Sequence, residues 1–170
     1  GLLNLTVLEE ELNKINTLGG RALVSVQAAN SETGVIQPIP AISQMVHAQG
    51  GLLHSDAVQV AGRLPLDQVA AGADILTLSA HKIGGPQGAR AGTEGTALIA
   101  GFGAACAAAE AALQGEAVRL AALRDEAEAG VLKLAHDAVI FGKNARHLPN
   151  TFAFAIPGLT AETALMAFDL

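Results

Sequence analysis

The chain has 170 residues, of which 10 are basic and 16 acidic, so its net charge is −6. This length suits one domain or part of a larger one, and a hydrophobic share of 51% predicts a buried core. The acidic balance, without a basic cluster, argues against nucleic acid or an anionic membrane as a partner. The single cysteine, Cys106, excludes an internal disulfide and fits a reducing, cytoplasmic compartment.

Helical and strand patterns alternate through the first half of the chain. A capping-box pattern at Thr6 and Glu9, followed by apolar residues at helical spacing, predicts the first helix. Short apolar runs bounded by glycine or polar residues predict strands. The predicted elements are a helix over residues 6–16, a strand at 22–28, a helix at 41–49, a strand at 52–55, a short helix at 67–71, a strand at 74–78 and a loop at 79–89. This alternation predicts the α/β class, with a mainly parallel sheet flanked by helices on both faces.

The second half has a different character. Two alanine-rich helices are predicted at residues 96–113 and 116–135, with Cys106 buried among alanines. The uncharged run over residues 95–109 is shorter than the ~18 apolar residues of a membrane span, so no span is predicted. Further elements are expected as strands at 138–141 and 151–156 and a helix at 161–170. We therefore expect residues 1–113 to belong to a large domain and residues 114–170 to begin a smaller α+β domain.

The two ends of the sequence also carry an expectation. The chain does not begin with Met and has no basic-then-apolar leader, and its last residues are typical of a helix without a stop signal. We expect the sequence to be truncated at both ends.

Polar clusters follow the three predicted strands, at residues 30–33, 54–59 and 79–82. In an open α/β sheet, ligands bind beyond the carboxyl ends of the strands. Asp56 and Lys82 are separated by about one crossover from a strand to its parallel neighbour, so both are expected to face one crevice.

A carboxylate and a lysine in one crevice suit a particular chemistry. A lysine amine kept uncharged by neighbouring cations and removal from water forms Schiff bases with carbonyl groups. Pyridoxal phosphate (PLP) catalysis needs such a lysine, an acid for the pyridine nitrogen and donors for the phosphate. Lys82 and Asp56 meet the first two needs, and Gln59, one helical turn beyond Asp56, is placed to donate to the ring's phenolic oxygen.

The residues around these positions carry a resemblance to a known family. The stretches HSDAVQ (54–59) and LSAHKIGGPQG (78–88) resemble the cofactor-binding core of the cysteine desulfurases, in the class V branch of the fold type I PLP enzymes. Similarity continues through residues 30–38, RAGTE (90–94) and LPN (148–150). The resemblance implies the large-domain fold of a PLP-dependent transferase that converts L-cysteine to L-alanine and passes sulfur to an enzyme thiol.

The resemblance also implies roles for single residues. Lys82 matches the lysine that forms the Schiff base, and Asp56 matches the partner of the pyridine nitrogen. Gln59 matches the side chain that bonds the phenolic oxygen.

Further matches concern the phosphate and the assembly. Ser79 and His81 match phosphate ligands. Thr93 is similar to a threonine that reaches the phosphate in the neighbouring subunit, which implies a homodimer. The family also implies a sulfur-acceptor protein as a partner and a place in iron-sulfur cluster assembly.

Three departures from the family pattern stand out. Ser31 occupies the place of an asparagine that ordinarily contacts the cofactor, and this weakens or lengthens one contact to the ring. The motifs ending at Gly88 and starting at Arg90 are nearly fused, whereas the family has a further strand and a mobile segment between them. The loop that carries the nucleophilic cysteine lies beyond residue 170.

Several alternatives stay open at this stage. A selenocysteine lyase or aminotransferase of the same fold, or an inactive remnant that acts as an interaction partner, would share these motifs. His54 is equally consistent with a supporting role beside the site and with an ordinary strand position. The other histidines lack ligand spacing, so no metal site is expected.

Overall fold

The computed structural model describes residues 1–86 and 95–168, which contain eleven helical and strand elements. The predicted alternation of strands and helices in the first half is confirmed, with bounds within a few residues of those expected. In chain order the elements are α1 (Leu5–Thr17), β1 (Leu23–Gln27), α2 (Ile39–Ala48), β2 (Leu52–Asp56), α3 (Leu66–Val69), β3 (Ile75–Thr77), a 3₁₀ helix (Ala80–Ile83), α4 (Thr96–Leu134), β4 (Val139–Ile140), β5 (Phe154–Ala155) and α5 (Ala161–Phe168).

The first three strands form a parallel sheet in the order β1-β2-β3. Gln27, Asp56 and Thr77 lie side by side in the pairing register, so the three strands finish at one level. The α/β class with a parallel sheet and flanking helices is therefore confirmed. The expected cover on both faces is seen on one only within the described ranges, since Leu23 and Ser25 of β1 are exposed on the other.

The main core lies between α1, α2 and the covered face of the sheet. Pro40 stands in the first turn of α2, where the absent N–H costs nothing, and Gly50 follows its end with a φ of +69°. Fully burying each large aliphatic side chain contributes about 1.5–3 kcal/mol. The largest fully buried side chains of this core are Ile39, Ile42, Val46, Leu53, Val60 and Leu148.

The start of α1 differs from the prediction. Asn4, not Thr6, is the N-cap, because its Oδ1 accepts hydrogen bonds from the backbone N–H groups of Thr6 at 3.0 Å and Val7 at 3.2 Å. Asparagine is as good an N-cap as any residue, and an Asn two positions ahead of a Thr-x-x-Glu pattern competes with it. The predicted capping box was wrong, although the helix itself was correctly placed.

The alanine-rich segment forms one helix rather than two. α4 runs without interruption through Gly115, where the sequence suggested a break. A single glycine costs only about 1 kcal/mol relative to alanine in a helix, and the strong helix formers around it outweigh that cost. The division into domains at residues 113 and 114 stays a prediction, and its boundary falls inside α4.

α4 is also more exposed than expected. None of its residues is buried, and Cys106 is exposed, so the predicted burial of this thiol was wrong because its side of the helix faces solvent. An 18-residue window of α4 has a mean hydropathy of 1.6, which by length and composition alone would suit a membrane span. The uncharged run over residues 95–109 is too short to indicate a membrane span by itself. The 18-residue window of α4 is longer because it includes charged residues.

The C-terminal segment packs against the loop after β1. β4 and β5 form a short antiparallel pair, and the predicted helix at the end is present as α5. The Leu148 N–H donates to the Gly34 carbonyl at 2.8 Å. Gly34 has a φ of +72°, and a Cβ there would lie 2.7 Å from the Thr151 carbonyl oxygen, so this contact requires glycine.

Candidate functional site

Asp56 ends β2 and stands on a buried turn. Its backbone carbonyl accepts from Ala28 N–H at 2.7 Å, and its Oδ1 accepts from Val58 N–H at 3.0 Å. The next residue, Ala57, is fully buried. One carboxylate oxygen therefore stabilises the turn, and Oδ2 makes no hydrogen bond within the described residues, which leaves it for a ligand.

A small cavity of about 120 Å³ opens beside this carboxylate. The predicted site residues Asp56 and Gln59 both line it, together with Ser31, the residue that departs from the family pattern. Gln27 lines it as well and was missed by the sequence analysis, although its register position opposite Asp56 follows from the strand pairing. The cavity thus gathers a carboxylate, two amides and a hydroxyl.

Gln59 lies on the turn that follows β2. Its backbone carbonyl accepts from Arg63 Nη1 at 2.9 Å. Partial burial lowers the pKa of Arg63 from its usual value. The Gln59 side chain is half-buried and remains at the cavity wall.

The second group of predicted residues lies around the 3₁₀ helix. Ser79 precedes this helix, and its Oγ is 2.8 Å from His81 Nδ1. The Lys82 N–H donates to the Ser79 carbonyl at 3.2 Å, and Gly84 ends the helix with a φ of +79°. Two candidate phosphate ligands are therefore already joined to each other, one residue ahead of the candidate lysine.

Lys82 itself is exposed, and it is not among the residues that line the 120 Å³ cavity. The removal from water that a neutral amine needs is therefore not supplied by the described residues. The structure does place Lys82 after the strand next to that of Asp56. β3 pairs in parallel with β2, and the register partner of Asp56 is Thr77, five residues before Lys82. The prediction that Asp56 and Lys82 follow neighbouring parallel strands is confirmed.

The glycines around the lysine allow close packing of this loop on α4. A Cβ added at Gly85 would lie 3.0 Å from Ala80 and 3.3 Å from Ala105 Cβ, and one at Gly62 would lie 3.2 Å from Ala109 Cβ. Alanine at the facing positions of α4 permits this approach. Gly85 therefore lets the loop after Lys82 approach α4 closely.

Two further points concern a predicted site residue and a second cavity. Thr93, the predicted phosphate contact of a second subunit, lies outside the described residues, as does the near-fusion at Ala89. A larger cavity of about 340 Å³ lies between α4 and residues 141–152 and is lined by Arg124, Glu128 and Lys143 among others. It holds none of the predicted site residues.

His54 is a contact residue that the sequence analysis left undecided. Its Nδ1 lies 2.7 Å from Ser25 Oγ on β1, and its Nε2 lies 2.6 Å from Thr77 Oγ1 on β3. Side chains alternate between the two faces of a strand, so His54 and Asp56 lie on the same side of β2. This spacing in the sequence could have indicated that His54 lies near the site.

Comparison with known proteins gives consistent results. Residues 3–89 match the family model described as aminotransferase class-V. The chain is 37% identical to a cysteine desulfurase from Cereibacter sphaeroides, covering 87% of this chain and 44% of that protein. It is 32% identical to the cysteine desulfurase NifS from Azotobacter vinelandii, covering 87% of this chain and 43% of that protein. The chain thus spans less than half the length of these relatives.

Solved structures agree on the fold. A NifS-like protein from Rickettsia africae is similar with a TM-score of 0.90 at 35% identity, over 99% of this chain and 53% of that one. The apo structure of a cysteine desulfurase from Thermococcus onnurineus has a TM-score of 0.79 at 20% identity, over 99% of this chain and 51% of that one. The second likeness shows the fold alone.

Proposed function

The chain belongs to the aminotransferase class-V family, and from this premise we propose that it is the cofactor-binding part of a PLP-dependent cysteine desulfurase. In this proposal L-cysteine loses its sulfur to an enzyme thiolate, so that a C–S bond breaks, an S–S bond forms and L-alanine is released. The single observation that carries it is the in-register ending of β2 and β3, which puts Asp56 and the Ser79–Lys82 loop on adjacent strands. Residues 1–113 would form part of the large domain, and residues 114–170 the start of a smaller one.

The donor set at the two strand ends fits PLP. A carboxylate oxygen of Asp56 would accept a hydrogen bond from the protonated pyridine nitrogen, and the Gln59 amide would donate to the phenolic oxygen. Ser79 and His81 supply donors for the phosphate. When bound, PLP supplies an electron-poor ring that stabilises negative charge on the substrate's α carbon.

The chain's own groups divide the remaining work. Lys82 would hold the cofactor through its Nζ amine, and the same amine, when free, would move a proton. Asp56 keeps the proton on the ring nitrogen, and its turn contact with Val58 N–H fixes the direction of the carboxylate. Ser31, at the wall of the same cavity, would leave a longer and weaker contact to the ring than an asparagine, because its side chain is shorter.

The proposal also includes a second copy of the protein. The exposed Lys82 needs cover, and a second subunit that brings Thr93 to the phosphate would provide it. We extend the proposal to a homodimer in the cytoplasm that hands its sulfur to an acceptor protein.

The decisive experiment uses the full-length protein with added PLP. We expect a visible absorption band that survives dialysis, and Lys82→Ala to lose both the band and alanine release from L-cysteine, by about 10²-fold or more in turnover. Lys133→Ala, which removes an exposed lysine of α4, is the matched control and should keep both. An unchanged spectrum in Lys82→Ala would refute the assignment of the lysine.

Asp56→Asn provides a second arm of the same test. The amide keeps the shape of the side chain and the turn contact but cannot hold the ring proton, so PLP should bind while turnover falls by about 10²-fold. Turnover at the wild-type level would reduce Asp56 to a turn residue. Transfer of the amino group to a keto acid, without alanine release from cysteine, would identify an aminotransferase, and preferred turnover of selenocysteine would identify a lyase for that substrate. Absence of any band would identify an inactive relative.

A further inference from the structure

His54 joins all three strands of the parallel sheet through one imidazole. Its ring nitrogens lie 2.7 Å from Ser25 Oγ of β1 and 2.6 Å from Thr77 Oγ1 of β3. β2, which carries His54, lies between those strands. A single side chain therefore fixes the spacing of both outer strands relative to the middle one.

The bridge does not depend on the charge of the ring. A neutral imidazole has one donor and one acceptor nitrogen, and each hydroxyl can act in either sense, so both contacts can be satisfied. A protonated ring donates to both hydroxyls. The spacing of the strands is therefore held in either state.

β3 is joined to β2 by a parallel pairing of only three residue pairs. The strand is three residues long, and all three are exposed, with Ile75 at 49% and Leu76 at 43%. Its last residue, Thr77, accepts the Ala57 N–H at its carbonyl at 3.0 Å and contacts His54 through its hydroxyl. In addition to that strand pairing, the bond from Ala57 N–H and the contact with His54 join the end of β3 to the part of the site that carries Asp56.

The position of this join gives it a functional consequence. Thr77 is the register partner of Asp56, and Ser79, His81 and Lys82 follow it within five residues. A shift of the β3 end relative to β2 would change the distance between the carboxylate and the loop that carries the lysine. Misplacement of reacting groups by 1 Å costs about 10²-fold in rate.

We propose that His54 is a positioning residue, whose bond to Thr77 sets the spacing between Asp56 and the Ser79–Lys82 loop so that both ends of one cofactor are met together. The inference rests on the proposed function. It assigns a larger effect to the Thr77 side of the bridge than to the Ser25 side, because β3 is joined to β2 over three register pairs and β1 over five.

Two matched variants of the full-length protein separate these sides. Thr77→Val removes the hydroxyl but keeps the size and strand preference of the side chain, and Ser25→Ala removes the other partner of the same ring. We expect Thr77→Val to raise the apparent Kd for PLP about tenfold and to lower turnover similarly, because the loop that carries Lys82 is then less well positioned relative to Asp56. Ser25→Ala should change both by less than about twofold. Urea unfolding of the apo forms measures the structural cost of each change separately.

His54→Gln keeps the inference testable if Thr77→Val fails to fold. The glutamine amide offers one donor and one acceptor, so it should retain more PLP affinity than His54→Ala at equal apo stability. Equal PLP affinities for Thr77→Val and Ser25→Ala, with a wild-type band that depends on Lys82, would overturn the positioning role and leave the proposed function intact. A wild-type protein that forms no lysine-dependent band would overturn the proposed function, and the positioning role with it.

Discussion

The two strands that carry the candidate site are held in different ways. Around Asp56, the side chains of Leu53, Ser55 and Ala57 are completely buried, so the carboxylate stands on packed core. On the lysine side, Ile75 and Leu76 are nearly half exposed. Burial of the neighbouring residues fixes the position of the Asp56 carboxylate. The position of the Lys82 amine depends instead on a three-residue strand at the edge of the described sheet.

Polar side chains take the place of burial at both ends of that strand. At its beginning, Asp74 Oδ2 accepts from Leu53 N–H at 2.7 Å and lies 2.9 Å from His47 Nε2 on α2. At its end, Thr77 contacts His54. The candidate site is therefore rigid on the side of one strand and held by a few hydrogen bonds on the side of the other.

The largest effect should come from leucines on the two strands. Leu53→Ala removes a fully buried side chain and should lower the free energy of unfolding by about 2–5 kcal/mol. Leu76→Ala, on the neighbouring strand, should cost less than about 1.5 kcal/mol, because its side chain already contacts water. Urea unfolding of both variants measures the difference. Equal losses would remove the contrast between the two strands.

Two buried serines sharpen the description of the well-packed side. Ser55 Oγ is fully buried and has no hydrogen-bond partner within the described part of the chain, whereas Ser43 Oγ donates to the Gly72 carbonyl at 2.8 Å. Ser55→Ala should raise the free energy of unfolding by about 0.5–1 kcal/mol, and Ser43→Ala should lower it by about 1 kcal/mol. Thermal unfolding distinguishes the opposite signs. A loss of stability in Ser55→Ala would mean that its hydroxyl has a partner in the folded protein.

The smallest effect concerns the beginning of β3 and depends on pH. Hydrogen bonds, first from His47 and then from Leu53 N–H, hold the pKa of Asp74 below the usual value of an aspartate. A carboxyl with a lowered folded-state pKa stabilises the fold above its unfolded pKa and loses that effect as pH falls through the folded one. Asp74→Asn should therefore lower Tm at pH 7, and the difference from wild type should vanish below the usual aspartate range. Asp67→Asn, at an exposed acid of α3, is the control, and a difference that persists at low pH would contradict the assignment.

Much of the fold was predictable from local pattern. The strands ending at Gln27, Asp56 and Thr77 were found because short apolar runs between polar clusters leave few alternatives. The continuity of α4 was not predicted, because the cost of Gly115 depends on the neighbours that offset it rather than on the glycine alone. The exposure of Cys106 was missed for a related reason, since an alanine-rich helix has no apolar stripe to show which side is covered.

Sequence analysis predicted which residues belong to the candidate site, but it did not predict which contacts they make. Spacing along the sequence placed Asp56 and Lys82 after neighbouring strands, because parallel crossovers have a narrow range of lengths. The bridge from Ser25 through His54 to Thr77 depends on two strand registers at once, and no single segment encodes it. The exposure of Lys82 likewise depends on chain packing that spacing does not report.

The outer edge of β3 has a practical consequence for anyone preparing this chain. No described residue pairs with that edge, and its apolar side chains are accessible. Open edges of this kind serve as templates for strand addition by other molecules, and natural proteins usually blunt them with charge, proline or a covering element. Ile75→Lys would place a charge on this edge, and it is the first substitution to try where a concentrated sample self-associates.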